Sequence, residues 1–264
     1  IPYTHVDIDD EDSLTERFDK STERKLIDIA VIRLPRISNF TDFSPFERYG
    51  NVSLRYVDSV GDLHQPDMII LPGTKSTIAD LRWLRQCGLE AAIHKAADAG
   101  TLVFGVCGGY QMLGRTVSDP EQVEAAGTTE ILGMGLLEMD TIFLGEKVQA
   151  QTTGVFAGIS GVLSDLNGMS YSGYEIHMGR SEEEMPALAG TDNVYGSYVH
   201  GIFDASGISD TILKAICVKK GIDFDALETF DISEYKEHQY DLLADAVRSG
   251  LDMEFIYRIL NREV

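Results

Sequence analysis

One cysteine stands where a thiol can react. The segment Gly105-Val106-Cys107-Gly108-Gly109-Tyr110-Gln111 continues a β-branched apolar run, residues 101–106 (TLVFGV). The sequence therefore predicts a strand that turns sharply at Cys107 into a helix. That is the geometry of a nucleophile elbow, and the glycines beside it suit a turn in which side chains would collide. The helix starting near Gly108 points its N-terminus at the sulfur, which favours thiolate over thiol. The competing reading is a buried structural cysteine beside a glycine-rich turn. Cys87 and Cys217 fall inside helical patterns and read as packing.

A nucleophilic thiol needs a proton shuttle, usually histidine. Of the six histidines, His200 stands at the end of an expected strand, in 196–203 (GSYVHGIF), where α/β sheets gather their chemistry. His177, in 173–179 (GYEIHMG), is the rival. His94 lies on a surface-type helix and His5 in an acidic lead-in, so both read as solvated. No histidine pair has the i, i+4 spacing of a helical zinc site and there is no CxxC, so no metal is expected. The acidic cluster Asp7, Asp9, Asp10, Glu11 and Asp12 lacks the glycine and the distal glutamate of a calcium loop. Residues 71–77 (LPGTKST) resemble the end of a P-loop, but Thr74 precedes Lys75 where glycine is required, and the upstream glycine is missing. The alternatives are a strand-end turn whose free N–H groups could hold an oxyanion, or a plain connection with Ser76 as helix N-cap.

The elements that must position these groups follow from patterning. Residues 26–34 (LIDIAVIRL), 52–57 and 68–71 are short apolar runs bounded by turn residues, and 101–106 is another. Helical patterns occupy 76–86 and 89–99, with Gly100 where a C′ glycine belongs. Strands alternating with helices predict an α/β fold, a mostly parallel central sheet with helices on both faces. Further strand candidates lie near 136–144, 147–156, 170–178 and 193–203, with a surface loop at 181–192. Helices are expected at 207–220 and 235–261, the second broken near Ser249-Gly250.

The chain has 264 residues, 44% of them apolar, with 22 basic and 43 acidic side chains and a formal charge of −21. That acidity repels phosphate backbones and anionic lipid, so neither nucleic acid nor membrane is an expected partner. No run approaches the length of a membrane span, and three sparse cysteines fit a reducing, cytoplasmic setting. Residues 1–25 read as a linker and 26–264 as one domain with a C-terminal helical extension. Position 1 is Ile, which reads as a piece of a longer protein.

Strand, elbow cysteine and later strand-end histidine, in that order, resemble the class I glutamine amidotransferase domains, which have a flavodoxin-like fold. Residues 28–43 (DIAVIRLPRISNFTDF), 71–77, 105–114 (GVCGGYQMLG), 173–180 (GYEIHMGR) and 197–204 (SYVHGIFD) together resemble the cobyric acid synthase family more closely. The resemblance runs from about residue 1 to the C-terminus. It implies a ligase that amidates adenosylcobyrinic acid a,c-diamide with ammonia drawn from L-glutamine. It also implies an N-terminal ATP-binding synthetase domain, absent here, that takes ATP and Mg²⁺ and most of the corrinoid contact. Residues 1–25 resemble the exit of that domain, and no cofactor is implied for this chain itself. Carried over residue by residue, Cys107 attacks the glutamine amide and His200 moves the protons. Backbone N–H groups near Gly73 and Gly108 hold the oxyanion, while Gln111, Glu175, His177 and Tyr198 line the glutamine pocket. Many class I members carry a Glu two residues after the histidine; here that position is Ile202. The partner of His200 is then open among Asp204, Glu175 and a backbone carbonyl. Cobyrinic acid a,c-diamide synthase, a cell-wall precursor amidating enzyme and a catalytically silent regulatory module remain the alternatives.

Overall fold

The computed structural model of the chain describes residues 4, 6, 24–47, 49–124, 127, 129–181, 185–227 and 232–262. They fall into two compact units, Leu14–Glu228 and a second that joins Ile1–Ser13 to Thr229–Val264. The expected linker at 1–25, with its acidic cluster and His5, lies almost wholly outside the described residues.

The larger unit opens with β1 (Ile27–Ile32), β2 (Ile37–Ser38), α1 (Ser44–Glu47), β3 (Val52–Val57), α2 (Val60–Leu63), β4 (Met68–Leu71) and β5 (Gly73–Thr74). It continues through α3 (Thr77–Gln86), α4 (Leu89–Asp98), β6 (Leu102–Val106) and α5 (Gly108–Leu113). After these come β7 (Thr116–Ser118), β8 (Glu130–Leu132), β9 (Asp140–Val155), β10 (Ser170–Ser181), β11 (Ala189–Thr191), β12 (Val194–Ser197) and α6 (Ile208–Lys220). The central sheet has the order β11-β12-β6-β4-β1-β3, parallel throughout except for the edge strand β11. Every residue of β1, β4 and β6 is buried, because a parallel sheet covered on both faces hides both sides of each strand.

The period-2 alternation assigns those residues to two cores. Ile27, Ile29, Val31, Ile70 and Phe104 pack with Ile212 and Ile216 of α6. Ala30, Ile32, Ile69, Leu71 and Val103 pack instead with Leu81 and Leu84 of α3 and Ile93 of α4. Helices on both faces are thus what the strands require, as the sequence predicts.

A second sheet, β10-β9-β7-β8, was not read from the sequence. The candidates at 136–144 and 147–156 merge into the single 16-residue β9, because Gly145 continues the strand instead of turning it. The expected loop at 181–192 contains β11, which pairs antiparallel with β12. The strands β9 and β10 form a long antiparallel ribbon whose register shifts between His177 and Gly179. The smaller unit holds α7 (Ile232–Gly250) and α8 (Met253–Leu260), separated where the sequence places a break. The Asp252 carboxylate starts α8 by accepting from the Phe255 N–H at 3.0 Å.

Candidate active site

Cys107 ends β6 and caps α5, with φ +50° and ψ −109°. A non-glycine residue in that region is strained, and such strain gathers where a fold must aim one side chain. The neighbours show why they are glycine. A Cβ on Gly109 would lie 2.0 Å from the Leu71 carbonyl oxygen, and one on Gly105 2.7 Å from the Tyr110 backbone. The helix can therefore start against β4 only with no side chain at 109.

The Cys107 thiol is 8% exposed and donates to the Ile176 carbonyl at 3.7 Å. The sulfur is also one of the groups that raise the pKa of His200. His200 follows β12 by three residues and is 1% exposed. Its backbone exchanges hydrogen bonds with Tyr174 of β10 (2.8 and 3.1 Å), and the Tyr174 ring stacks on the imidazole at 5.2 Å. Asn39 donates to the Tyr174 hydroxyl at 2.6 Å, which fixes that ring from a third segment.

The partner of His200 is Asp42. Its carboxylate lies 2.7 Å from His200 Nδ1, and its other oxygen accepts from the Gly201 N–H at 3.1 Å. Asp42 is 5% exposed, in the short 3₁₀ turn Phe40–Phe43. This corrects the sequence-based candidates: Asp204 and Glu175 are not the Nδ1 partner, and Glu175 faces His177 at 3.3 Å. Ile202 packs into the core beneath. Burial pushes the His200 pKa down, but the Asp42 carboxylate and the Cys107 sulfur outweigh it and lift it to about 10.

Gly73 lies beside His200, and Gly108 lies beside Thr74. A Cβ on Gly73 would touch the His200 ring at 3.3 Å, and one on Gly108 would meet Thr74 at 2.7 Å. The 71–77 segment is neither phosphate loop nor plain connection, since β5 pairs antiparallel with β2. Asp80, fully buried in the first turn of α3, holds that corner. It accepts from the Arg36 N–H (3.1 Å), the Arg36 guanidinium (2.9 Å) and the Thr74 hydroxyl (2.5 Å). Ser76 makes no side-chain cap; the Glu124 carboxylate takes the Thr77 and Ile78 N–H groups instead, at 2.5 and 2.8 Å. Neither Asp80 nor Glu124 was singled out in the sequence.

The remaining candidates line one side of the elbow. The Gln111 side chain is buried, its Oε1 accepting from the Thr77 hydroxyl at 2.9 Å, and its Nε2 has no protein partner. A Cβ on Gly179 would sit 2.5 Å from that nitrogen. His177 stacks on Tyr198 at 4.1 Å and its Nδ1 lies 2.7 Å from the Gly179 carbonyl oxygen. Its ring nitrogens are thus taken by Gly179 and Glu175, and it is His200 whose pKa the Cys107 sulfur raises. Among the described residues no group of His, Cys, Asp and Glu is placed to hold a metal ion, and no helix is long and apolar enough to cross a membrane.

The fold is that of a glutamine amidotransferase. A crystal structure of a glutamine amidotransferase superposes with a TM-score of 0.50 at 15% identity, covering 74% of this chain and 99% of the other. The chain belongs to the CobB/CobQ-like glutamine amidotransferase domain family, whose model matches residues 28–208. It is 52% identical over 289 residues to a cobyric acid synthase of Lachnoclostridium phytofermentans, covering all of this chain and 56% of that protein. A cobyric acid synthase of Ruminiclostridium cellulolyticum is 46% identical over 283 residues, with 100% and 55% covered. The chain thus spans about half the length of the curated relatives it matches, and in them the matching region is the C-terminal part.

Proposed function

We propose that this chain is the glutamine-hydrolysing part of a cobyric acid synthase. It releases ammonia for the ATP-dependent amidation of adenosylcobyrinic acid a,c-diamide by an N-terminal synthetase domain. The observation that carries the reading is the line Cys107–His200–Asp42. A thiol on a strained elbow faces a buried imidazole whose far nitrogen is held by a buried carboxylate. This is the arrangement of nucleophile, base and orienting group that acyl transfer requires.

The Cys107 thiolate adds to the side-chain amide carbon of glutamine, and the oxygen takes the electron pair. Backbone N–H groups at Gly73 and Gly108 stabilise that oxyanion. The His200 imidazolium gives its proton to the departing nitrogen, and ammonia leaves a γ-glutamyl thioester. Neutral His200 then takes a proton from water, which adds to the thioester, and glutamate leaves as the thiolate returns. Asp42 keeps Nδ1 protonated, so that the other nitrogen faces the reaction. The unpartnered Gln111 Nε2, with Glu175, His177 and Tyr198 alongside, seats the glutamine.

A glutamine-mimicking diazo ketone tests the assignment. Peptide mapping should find the label on Cys107 alone, since Cys217 is buried with its thiol pKa pushed up by burial. Label on Cys87 or Cys217 in place of Cys107 refutes it.

A further inference from the structure

Half of the buried Gln111 carboxamide is bonded and half is not. Its Oε1 accepts from the Thr77 hydroxyl at 2.9 Å, while its Nε2 meets no acceptor among the described residues. A buried donor without an acceptor is unfavourable, and such groups mark places where a bound molecule completes the bonding. Gln111 lies one helical turn after Cys107, with its N–H on the Cys107 carbonyl at 3.0 Å, so both residues share one side of α5. The carboxamide is planar, so holding its oxygen at Thr77 turns its nitrogen away, towards Gly179. A Cβ on Gly179 would sit 2.5 Å from Nε2, and glycine keeps that place clear.

Thr77 is itself held from a distance. The N–H groups of Thr77 and Ile78, the first two residues of α3, both donate to the Glu124 carboxylate, one to each oxygen. The adjacent Ser76 could have capped the helix but makes no side-chain cap. The cap comes instead from a residue 47 positions further on. Glu124 is fixed in turn by Asp119, which is fully buried and accepts from the Val123 and Glu124 N–H groups at 2.8 and 3.0 Å. Ile78 packs with Val117 of β7 and Phe143 of β9, which seats the start of α3 against the second sheet. A chain of hydrogen bonds thus runs from Asp119 through Glu124 and Thr77 to Gln111. A plain helix cap needs only its first link to α3. The Thr77 hydroxyl on Oε1 adds nothing to α3 and decides only where Nε2 points.

We infer that Thr77 and Glu124 are positioning residues of the glutamine pocket: Glu124 sets the start of α3, and the Thr77 hydroxyl turns the Gln111 carboxamide so that its Nε2 donates to the amino-acid end of L-glutamine. The inference rests on the function proposed above, since it takes glutamine as the molecule that Nε2 meets. Neither residue touches the reacting amide, so their effect falls on binding and not on the chemistry at Cys107.

The test compares two reagents for Cys107. The glutamine-mimicking diazo ketone carries the amino-acid end of glutamine, and iodoacetamide does not. Thr77→Val keeps the shape and removes the hydroxyl. It should raise the half-saturating concentration of the diazo ketone about tenfold, roughly the worth of one hydrogen bond. The limiting labelling rate and the iodoacetamide rate should stay as in wild type. Thr77→Ser, which keeps the hydroxyl, should return to within about twofold of wild type by the same reasoning. Glu124→Gln offers one oxygen where the carboxylate uses two, so it should shift binding in the same direction. If Thr77→Val fails to fold, Glu124→Gln carries the comparison. Equal slowing of both reagents would reveal a merely structural role and overturn the inference. So would a Thr77→Val chain that saturates like wild type, or a Thr77→Ser chain no better than Thr77→Val. Wild-type Cys107 that reacts with iodoacetamide but never with the diazo ketone refutes the proposed function, and the inference falls with it. Wild type that labels normally beside an unchanged Thr77→Val refutes the inference alone.

Discussion

At the residue scale the site turns on Asp42. Its carboxylate holds Nδ1 of an imidazole whose pKa the Cys107 sulfur also raises. Asp42→Asn keeps the shape but can favour the wrong tautomer, so glutaminase kcat should fall by about 10³-fold, with KM little changed. Steady-state kinetics decides it; near-normal turnover would return the orienting role to another group. The same contact predicts a pH dependence of stability. The His200 pKa rises from 6.5 to about 10 on folding. A raised pKa stabilises the fold fully below 6.5, and that contribution drains away as pH climbs towards 10. The Tm gap between wild type and Asp42→Asn should therefore be widest near pH 6 and shrink through pH 9, as thermal scans in matched buffers would show. His200→Ala should remove about 10² to 10⁴ in rate, the usual worth of a proton shuttle. His177→Ala, whose ring nitrogens meet Gly179 and Glu175, should instead act mainly on KM.

At the scale of elements, the ribbon β9–β10 closes over the elbow. Gly173 fits against the His200 carbonyl, where a Cβ would sit 2.1 Å from that oxygen and 2.6 Å from Val199. Gly173→Ala must therefore push β10 off the histidine and break the Tyr174–His200 pairing. A loss of about 1–3 kcal/mol in stability is expected from such overpacking, together with slower labelling of Cys107. Unchanged unfolding midpoint and labelling would show that β10 is not what holds the imidazole. This ribbon also explains which features could be read from the sequence. The elbow is local: strand, cysteine and glycines are adjacent, and the steric reason for each glycine lies within one turn or on the neighbouring strand. The parallel sheet is legible because its strands are apolar throughout. Asp42 is not, since 158 residues separate it from His200 and it sits in a 3₁₀ turn with no periodicity. An acid held between Phe40 and Phe43 was the available signal. The position two residues after the histidine, where many class I members carry Glu, holds Ile202, which packs in the core. The three-residue strands β7 and β8 carry too few side chains to show an alternation.

For the whole molecule, the expected division of labour has its own test. Amidating a carboxylate needs its oxygen converted to a leaving group by phosphorylation, which calls for a phosphate cradle, a lysine and a metal site. Residues 71–77 are committed to β5 and to the Asp80 corner instead. Chain 1–264 should hydrolyse glutamine slowly and amidate nothing. Adding the synthetase domain, ATP, Mg²⁺ and the corrinoid should raise turnover and yield product, because a partner commonly completes such a site. Tight ATP binding to chain 1–264 in calorimetry would overturn this. Finally, the three reacting groups come from widely separated stretches: Asp42 after the first strand, Cys107 after β6, His200 just beyond the last strand to join the sheet. During synthesis the thiol therefore leaves the ribosome long before its base, and β12 can pair with β6 only once both are out. A growing or prematurely ended chain then carries a cysteine that cannot turn over. Glutamine hydrolysis is therefore expected only from chains in which β12 has joined the sheet.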